Sequence, residues 1–174
     1  MSASTPILGG WVPTAALAVT AALAATAAVH RLSVVRAGDS PQTLAGRVGG
    51  VVAAFSLGLW AVVQAVADPA SFSPVDGTFV LWVALAGVCT AALTGGTTYA
   101  YARFRYRAAL LSLFAVTAFT WYAFLQVGDG VLLLSIWSFV YAPVFAAATA
   151  VLFATEWLLR RYVDGENGGN GAAA

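Results

Sequence analysis

Long apolar stretches separated by short polar segments form the dominant pattern along this chain. A helix that crosses the hydrocarbon core of a bilayer needs about 20 mainly apolar residues. Five stretches reach that length, at residues 11–29, 48–67, 78–97, 108–126 and 131–159. The pattern predicts an all-α, polytopic integral membrane protein whose residues 1–162 form a single five-helix transmembrane bundle. Residues 163–174 are rich in glycine and polar side chains, which predicts a disordered tail.

The charges between these stretches alternate in sign along the chain. Every arginine follows the first, third or fifth stretch, namely Arg31, Arg36, Arg47, Arg103, Arg105, Arg107, Arg160 and Arg161. The segments after the second and fourth stretches carry Asp68, Asp76 and Asp129 instead. Because cytoplasmic loops carry the excess of basic residues, the N-terminus is predicted outside and the C-terminus in the cytoplasm. No basic residue precedes the first stretch, which favours an uncleaved first helix over a signal peptide.

Composition supports the membrane assignment and excludes some classes of partner. The chain is 61% hydrophobic and 9% charged, whereas soluble domains are about 45–50% apolar and about 25% charged. The net charge of +1 provides no long-range field that would steer nucleic acid. Arginine replaces lysine throughout, and alanine, glycine and valine are abundant, which is typical of a GC-rich prokaryotic genome. The expected location is the cytoplasmic membrane of a prokaryote.

Few side chains in the sequence could carry out chemistry. The chain has no lysine for a Schiff base, and its single cysteine and single histidine, Cys89 and His30, cannot form a disulfide or a metal centre by themselves. Glu156 is the one acidic residue inside a predicted span, and it lies one helical turn before Arg160, which predicts an ion pair. We therefore expect no catalytic residue, metal or cofactor, and no enzymatic activity.

The segment YAYARFRYR, residues 99–107, interleaves arginines with aromatic side chains. Single-stranded nucleic acid is one ligand of such a pattern, but this segment is a short turn between two predicted membrane helices. Aromatic rings at that depth occupy the interface, and arginines reach lipid phosphates. We predict that Arg103, Arg105 and Arg107 contact lipid headgroups.

Small residues recur at a spacing of four in three of the predicted helices. Helices in lipid associate through such faces because small side chains let the backbones approach closely. The faces comprise Gly46, Gly50, Ala54 and Gly58 in the second helix, Gly87, Ala91 and Gly95 in the third, and Ala142, Ala146, Ala150 and Ala154 in the fifth. They predict helix contacts within the chain, in a homo-oligomer or with another membrane protein.

Aromatic residues form a layer in the outer half of the predicted bundle. The layer comprises Trp60, Trp82, Trp121, Trp137 and Tyr141, and it lies deeper than an interfacial belt of tryptophans. The rings point into lipid, pack as core, or line a pocket for a flat apolar ligand such as a quinone, a carotenoid or a lipid. Nearby, Pro143 is expected to kink the fifth helix, and Asp76 and Asp129 are expected to cap helix N-termini.

Three functional hypotheses remain open on this basis. The leading one is a non-catalytic accessory or structural membrane subunit that acts through helix–helix packing. The second is a binder or carrier of an apolar ligand that uses the aromatic layer. The third is a small transporter or channel component, in which ion coupling would depend on Glu156 because the spans otherwise lack ionisable groups.

Overall fold

A computed structural model describes residues 5–6, 8–35, 40–67, 77–127 and 130–169, and it is almost entirely helical. The first four long helices are α1 (Trp11–Val35), α2 (Pro41–Ala67), α3 (Gly77–Phe104) and α4 (Arg107–Phe124). The chain then forms α5 (Gly130–Ile136), a π-helical turn (Trp137–Tyr141) and α6 (Ala142–Gly169). Five helical stretches are long and apolar enough to cross a membrane, which confirms the predicted number of spans.

Two predictions concern the C-terminal segment and the caps at two helix N-termini. Helix α6 continues to Gly169 and so extends beyond the predicted boundary at residue 162. Once a helix is nucleated, each further residue adds one hydrogen bond, so the glycine-rich composition did not end it at the membrane surface. The rest of the predicted tail, residues 170–174, lies outside the described residues, as do the predicted helix caps Asp76 and Asp129.

Helix α4 lies at the centre of the bundle. It packs against α1, α2, α3 and α6, and 44% of its spanning window is buried, compared with 22–28% for the other four spans. Its small and medium-sized residues, including Ala109, Leu113 and Val116, are almost completely inaccessible. The remaining helices therefore each keep a large surface that faces outward from the bundle.

Tertiary contacts place the chain segments at two opposite ends of the bundle. At one end, a two-residue strand β1 (Thr5–Pro6) pairs antiparallel with β2 (Gln126–Val127), so the segment before α1 lies beside the residues that follow α4. At the other end, the side chain of Arg105, between α3 and α4, contacts Ser33 near the end of α1. We refer to these as the strand end and the arginine end.

A π-helical turn interrupts the last span directly before Pro143. The N–H of Ala142 donates to the carbonyl of Trp137, five residues earlier, instead of continuing the α-helical pattern. Proline has no N–H to donate and its ring crowds the preceding turn, so the chain takes up the irregularity as a widened turn. The last span is therefore irregular at this point, and a kink of its axis stays a prediction.

Candidate functional site

The predicted aromatic layer forms much of the protein core. Trp137 is fully buried, and its indole N–H donates to Oγ1 of Thr90 on α3 at 3.1 Å. The ring of Phe119 stacks near Trp137, with 6.1 Å between centroids, and meets Tyr141 edge-on at 4.7 Å. Phe124 approaches Trp137 edge-on from α4 at 5.9 Å. Protein rings therefore occupy the surroundings of Trp137 that a flat ligand would need.

Trp60 and Trp82 belong to the same hydrophobic cluster as Trp137 and Tyr141. Trp60 is 2% exposed and packs against Phe79, and Trp82 meets Phe139 edge-on at 5.4 Å. Trp121 is partly buried, and its indole nitrogen has no hydrogen-bond partner among the described residues. Four of the five predicted ligand-binding residues thus share one hydrophobic cluster, and an apolar ligand bound by all five stays a prediction.

The helix-packing glycines show which small residues make contacts within the chain. Gly49 and Gly95 bring α2 and α3 together: a Cβ added to Gly49 would lie 2.6 Å from the Ala91 carbonyl oxygen, and one added to Gly95 would lie 3.0 Å from that of Ala45. A Cβ added to Gly87 would lie 3.0 Å from Cδ1 of Leu57. The predicted contribution of Gly87 and Gly95 to helix contacts is therefore present.

On α2, the glycine that meets α3 is Gly49, next to the predicted small-residue face. A Cβ added to Gly46, Gly50 or Gly58 would meet nothing within 4 Å, and Ala146 and Ala150 on α6 are exposed. Successive helical residues are rotated by about 100°, so Gly49 and Gly50 cannot face the same neighbour. The contact of α2 with α3 thus uses Gly49, and a helix-packing role of Gly46, Gly50, Gly58, Ala146 and Ala150 toward another chain stays a prediction.

The arginine end is held together by a pair of side chains on α6. The carboxylate of Glu156 accepts from the backbone N–H of Arg107 at 3.0 Å and from that of Ala108 at 2.8 Å. Those N–H groups belong to the first turn of α4, where no helical carbonyl can reach them. Glu156 therefore caps α4 from a different helix, and its negative charge meets the positive end of the α4 dipole.

Arg160 completes this arrangement at the adjoining end of α3. Its guanidinium donates to the carbonyl oxygens of Phe104 at 3.0 Å and Arg105 at 2.7 Å, and it pairs with Glu156 at 2.5 Å. The predicted ion pair is thus confirmed. Spacing along the chain does not indicate that the pair also joins the two helix ends, because Glu156 lies 49 residues from Arg107.

The three arginines predicted to contact lipid have different surroundings. Arg105 adopts a left-handed backbone conformation (φ 56°) that ends α3, and its N–H bonds the Tyr101 carbonyl at 3.0 Å. Its guanidinium also lies over the Tyr101 ring and contacts Ser33. Arg103 and Arg107 have exposed side chains. Lipid contact by all three stays a prediction, and Arg105 additionally links α3 to α1.

The single histidine joins the same region. His30 Nδ1 lies 2.6 Å from the hydroxyl of Tyr101, and the two rings are tilted with centroids 6.0 Å apart. This hydrogen bond gives His30 a structural partner. Among the described residues, no group of three or more His, Cys, Asp or Glu could hold a metal ion.

The interior is richer in polar side chains than the hydropathy pattern suggests. On α3, the hydroxyls of Thr94, Thr97 and Thr98 donate to backbone carbonyls of their own helix. Such bonds let a hydroxyl enter an apolar interior at little cost. Other buried polar groups, on α2, α4 and β2, lack partners among the described residues.

Comparison with protein-family models, with curated protein sequences and with solved structures gave no match to this chain.

Proposed function

We propose that this chain is a non-catalytic subunit of a prokaryotic cytoplasmic membrane that binds another membrane protein through the open small-residue face of α2. This face is defined by Gly46, Gly50, Ala54 and Gly58. All four residues are exposed, and each glycine has open space where a side chain would be. That observation carries the proposal.

The chemistry of helix association in lipid supports this use of the face. Lipid tails are as apolar as leucine, so helices gain little from hiding apolar surface and associate mainly through close packing. A neighbouring side of the same helix shows how closely α2 can be approached, since Gly49 meets the backbone of α3. The open face offers the same small side chains at a four-residue spacing to a transmembrane helix of a partner.

For orientation we propose that the arginine end faces the cytoplasm and that the N-terminus lies outside. Contacts of Arg105 and Arg160 with the ends of α1 and α3 gather basic side chains at one end of the bundle. A bilayer orients multi-span proteins with basic segments toward the cytoplasm. The strand end, with the N-terminal segment and the residues after α4, then lies at the outer surface.

Substitutions on neighbouring positions of α2 test the proposal. Gly50→Leu fills the open face, whereas Val66→Leu enlarges a side chain that is already 69% exposed and lies about two helical turns beyond Gly58. Extraction in mild detergent at native expression should yield the wild-type chain and Val66→Leu together with a second polypeptide. Gly50→Leu should lose that polypeptide while its circular dichroism spectrum stays unchanged. A wild-type chain that elutes alone as a monomer would contradict the proposal, and one that elutes with a second copy would assign the face to self-association.

A further inference from the structure

The buried hydroxyl groups of this protein fall into two classes. In one class the hydroxyl donates to the carbonyl four residues earlier in its own helix, as in Thr14, Thr94, Thr98, Thr120 and Ser138. In the other class no such bond forms. Ser56 on α2 is 0% exposed and Thr117 on α4 is 2% exposed, and neither hydroxyl has a partner among the described residues. Neither hydroxyl makes the bond to its own helix that serines and threonines in helices commonly form.

Some buried amide and indole groups also lack hydrogen-bond partners among the described residues. Gln64, in the last turns of α2, is 3% exposed, and neither its amide oxygen nor its amide nitrogen has a partner among the described residues. The indole nitrogen of Trp121 and the amide nitrogen of Gln126 are likewise buried and unbonded within the described part of the chain. Leaving such groups unbonded costs free energy, and more so in a low-dielectric interior.

These groups belong to elements that meet one another. Helix α2 contacts both α4 and β2, and β2 follows α4 directly in the chain. Gln64 lies near the C-terminal end of α2, Trp121 lies in the last turn of α4, and Gln126 lies on β2. All three elements therefore meet at the strand end of the bundle, with Ser56 and Thr117 deeper along the same two helices.

We infer that the interior between α2 and the α4–β2 segment is a binding site for an uncharged molecule that presents an acceptor oxygen, with Gln64 as its principal contact. The nitrogens of Gln64, Trp121 and Gln126 are all donors, so the occupant must accept hydrogen bonds. The amide oxygen of Gln64 and the hydroxyls of Ser56 and Thr117 accept any hydrogen bond that the occupant donates. No charged side chain is among the unbonded groups, and an ion would require one to compensate its burial.

Two sources offer this chemistry, namely water and the carbonyl group of a membrane-soluble compound such as a quinone. Internal waters typically bond about three polar groups that would otherwise be unsatisfied. A quinone carbonyl would accept from the same amide and indole nitrogens. The site differs from the predicted aromatic pocket, because Trp137 uses its N–H on Thr90 and only Trp121 is shared. It also does not depend on the open face of α2.

The glutamine side chains give a direct measurement of occupancy. The chain has three glutamines, Gln42, Gln64 and Gln126, so glutamine labelled with ¹⁵N at the side chain gives three NH₂ signals in detergent-solubilised full-length protein. Gln42 is exposed and serves as the reference for contact with bulk water. Gln64→Leu assigns the Gln64 signal by its loss. If that variant does not fold, Gln42→Asn and Gln126→Asn assign the other two signals and leave the third.

We expect the Gln64 NH₂ group to show magnetisation transfer from water despite its burial, or to shift when decylubiquinone is added. Transfer that persists in the presence of decylubiquinone identifies water as the occupant and supports the site. A saturable shift of Gln64 that removes the transfer identifies a carbonyl ligand and also supports it. A Gln64 signal with neither water transfer nor a decylubiquinone shift, and with its NH₂ protons protected from deuterium, would show a dry interior and overturn the inference.

Discussion

Adjacent glycines on α2 provide a sharp test of how the bundle is packed. Gly49 and Gly50 are neighbours in the sequence, yet Gly49 is buried against α3 and Gly50 is exposed. The substitutions Gly49→Ala and Gly50→Ala each add one methyl group to the same turn of the same helix. Differences in intrinsic helix propensity therefore cancel between the two variants, and what remains is the space available to the methyl group.

The magnitude follows from the contacts that each methyl group would make. At position 50 the methyl group meets nothing within 4 Å, so the substitution should stabilise the protein by about 0.5–1 kcal/mol through the lower conformational entropy of alanine. At position 49 the methyl group lies 2.6 Å from the Ala91 carbonyl oxygen and 3.2 Å from the Gly95 Cα. These are backbone atoms that no rotamer change can move, so α2 and α3 must separate, at an overpacking cost of about 1–3 kcal/mol.

The assay is equilibrium unfolding in mixed micelles titrated with dodecyl sulfate, followed by circular dichroism. We expect Gly49→Ala to unfold at lower denaturant fraction than the wild type and Gly50→Ala at an equal or higher fraction. The free energies of unfolding of the two variants should differ by about 1–3 kcal/mol, the overpacking cost alone. Equal midpoints for the two variants would refute the close approach of α2 and α3 at Gly49.

Further substitutions test the arginine end and the interior. Glu156→Ala leaves the first turn of α4 without its acceptors and should lower the free energy of unfolding by about 1–2 kcal/mol in the same titration. Arg161→Ala should change the free energy of unfolding little. Equal effects of Glu156→Ala and Arg161→Ala would contradict the role of Glu156 as the cap of α4. Thr90→Val leaves the buried N–H of Trp137 without its acceptor and should cost about 1–3 kcal/mol. Thr94→Val removes only a bond within its own helix, so a loss as large as that of Thr90→Val would argue against the Thr90–Trp137 bond.

Several features of the fold could be predicted from the sequence. The number of spans follows from the length of the apolar stretches, because only a helix about 20 residues long satisfies its backbone across the hydrocarbon core. The pairing of Glu156 with Arg160 follows from their spacing, since residues four apart are neighbours on one helix face. Each of these rests on interactions within one helix, which the local sequence specifies.

Other features depend on which faces of the helices contact one another, and the hydropathy pattern does not indicate those faces. In a soluble protein, polar residues mark the outward face of a helix, but a lipid-facing residue and a core residue are equally apolar. The four-residue spacing therefore indicated Gly46, Gly50 and Gly58 and left out Gly49, and the structure places Gly49 against α3. The surroundings of Trp137 were undecided between lipid, ligand and core for the same reason.

The sequence by itself determined that the chain forms five long apolar helices and in which connecting segments the arginines lie. It also determined that His30 and Cys89 are the single histidine and the single cysteine that could bind a metal. Only the tertiary structure decided that α4 is central and that Glu156 and Arg160 join the ends of α3 and α4. It also decided that Gln64 is buried without a partner among the described residues. The physical reason is that hydropathy and spacing act along one helix, whereas these contacts join residues far apart in the chain, and lipid leaves no polar pattern to mark them.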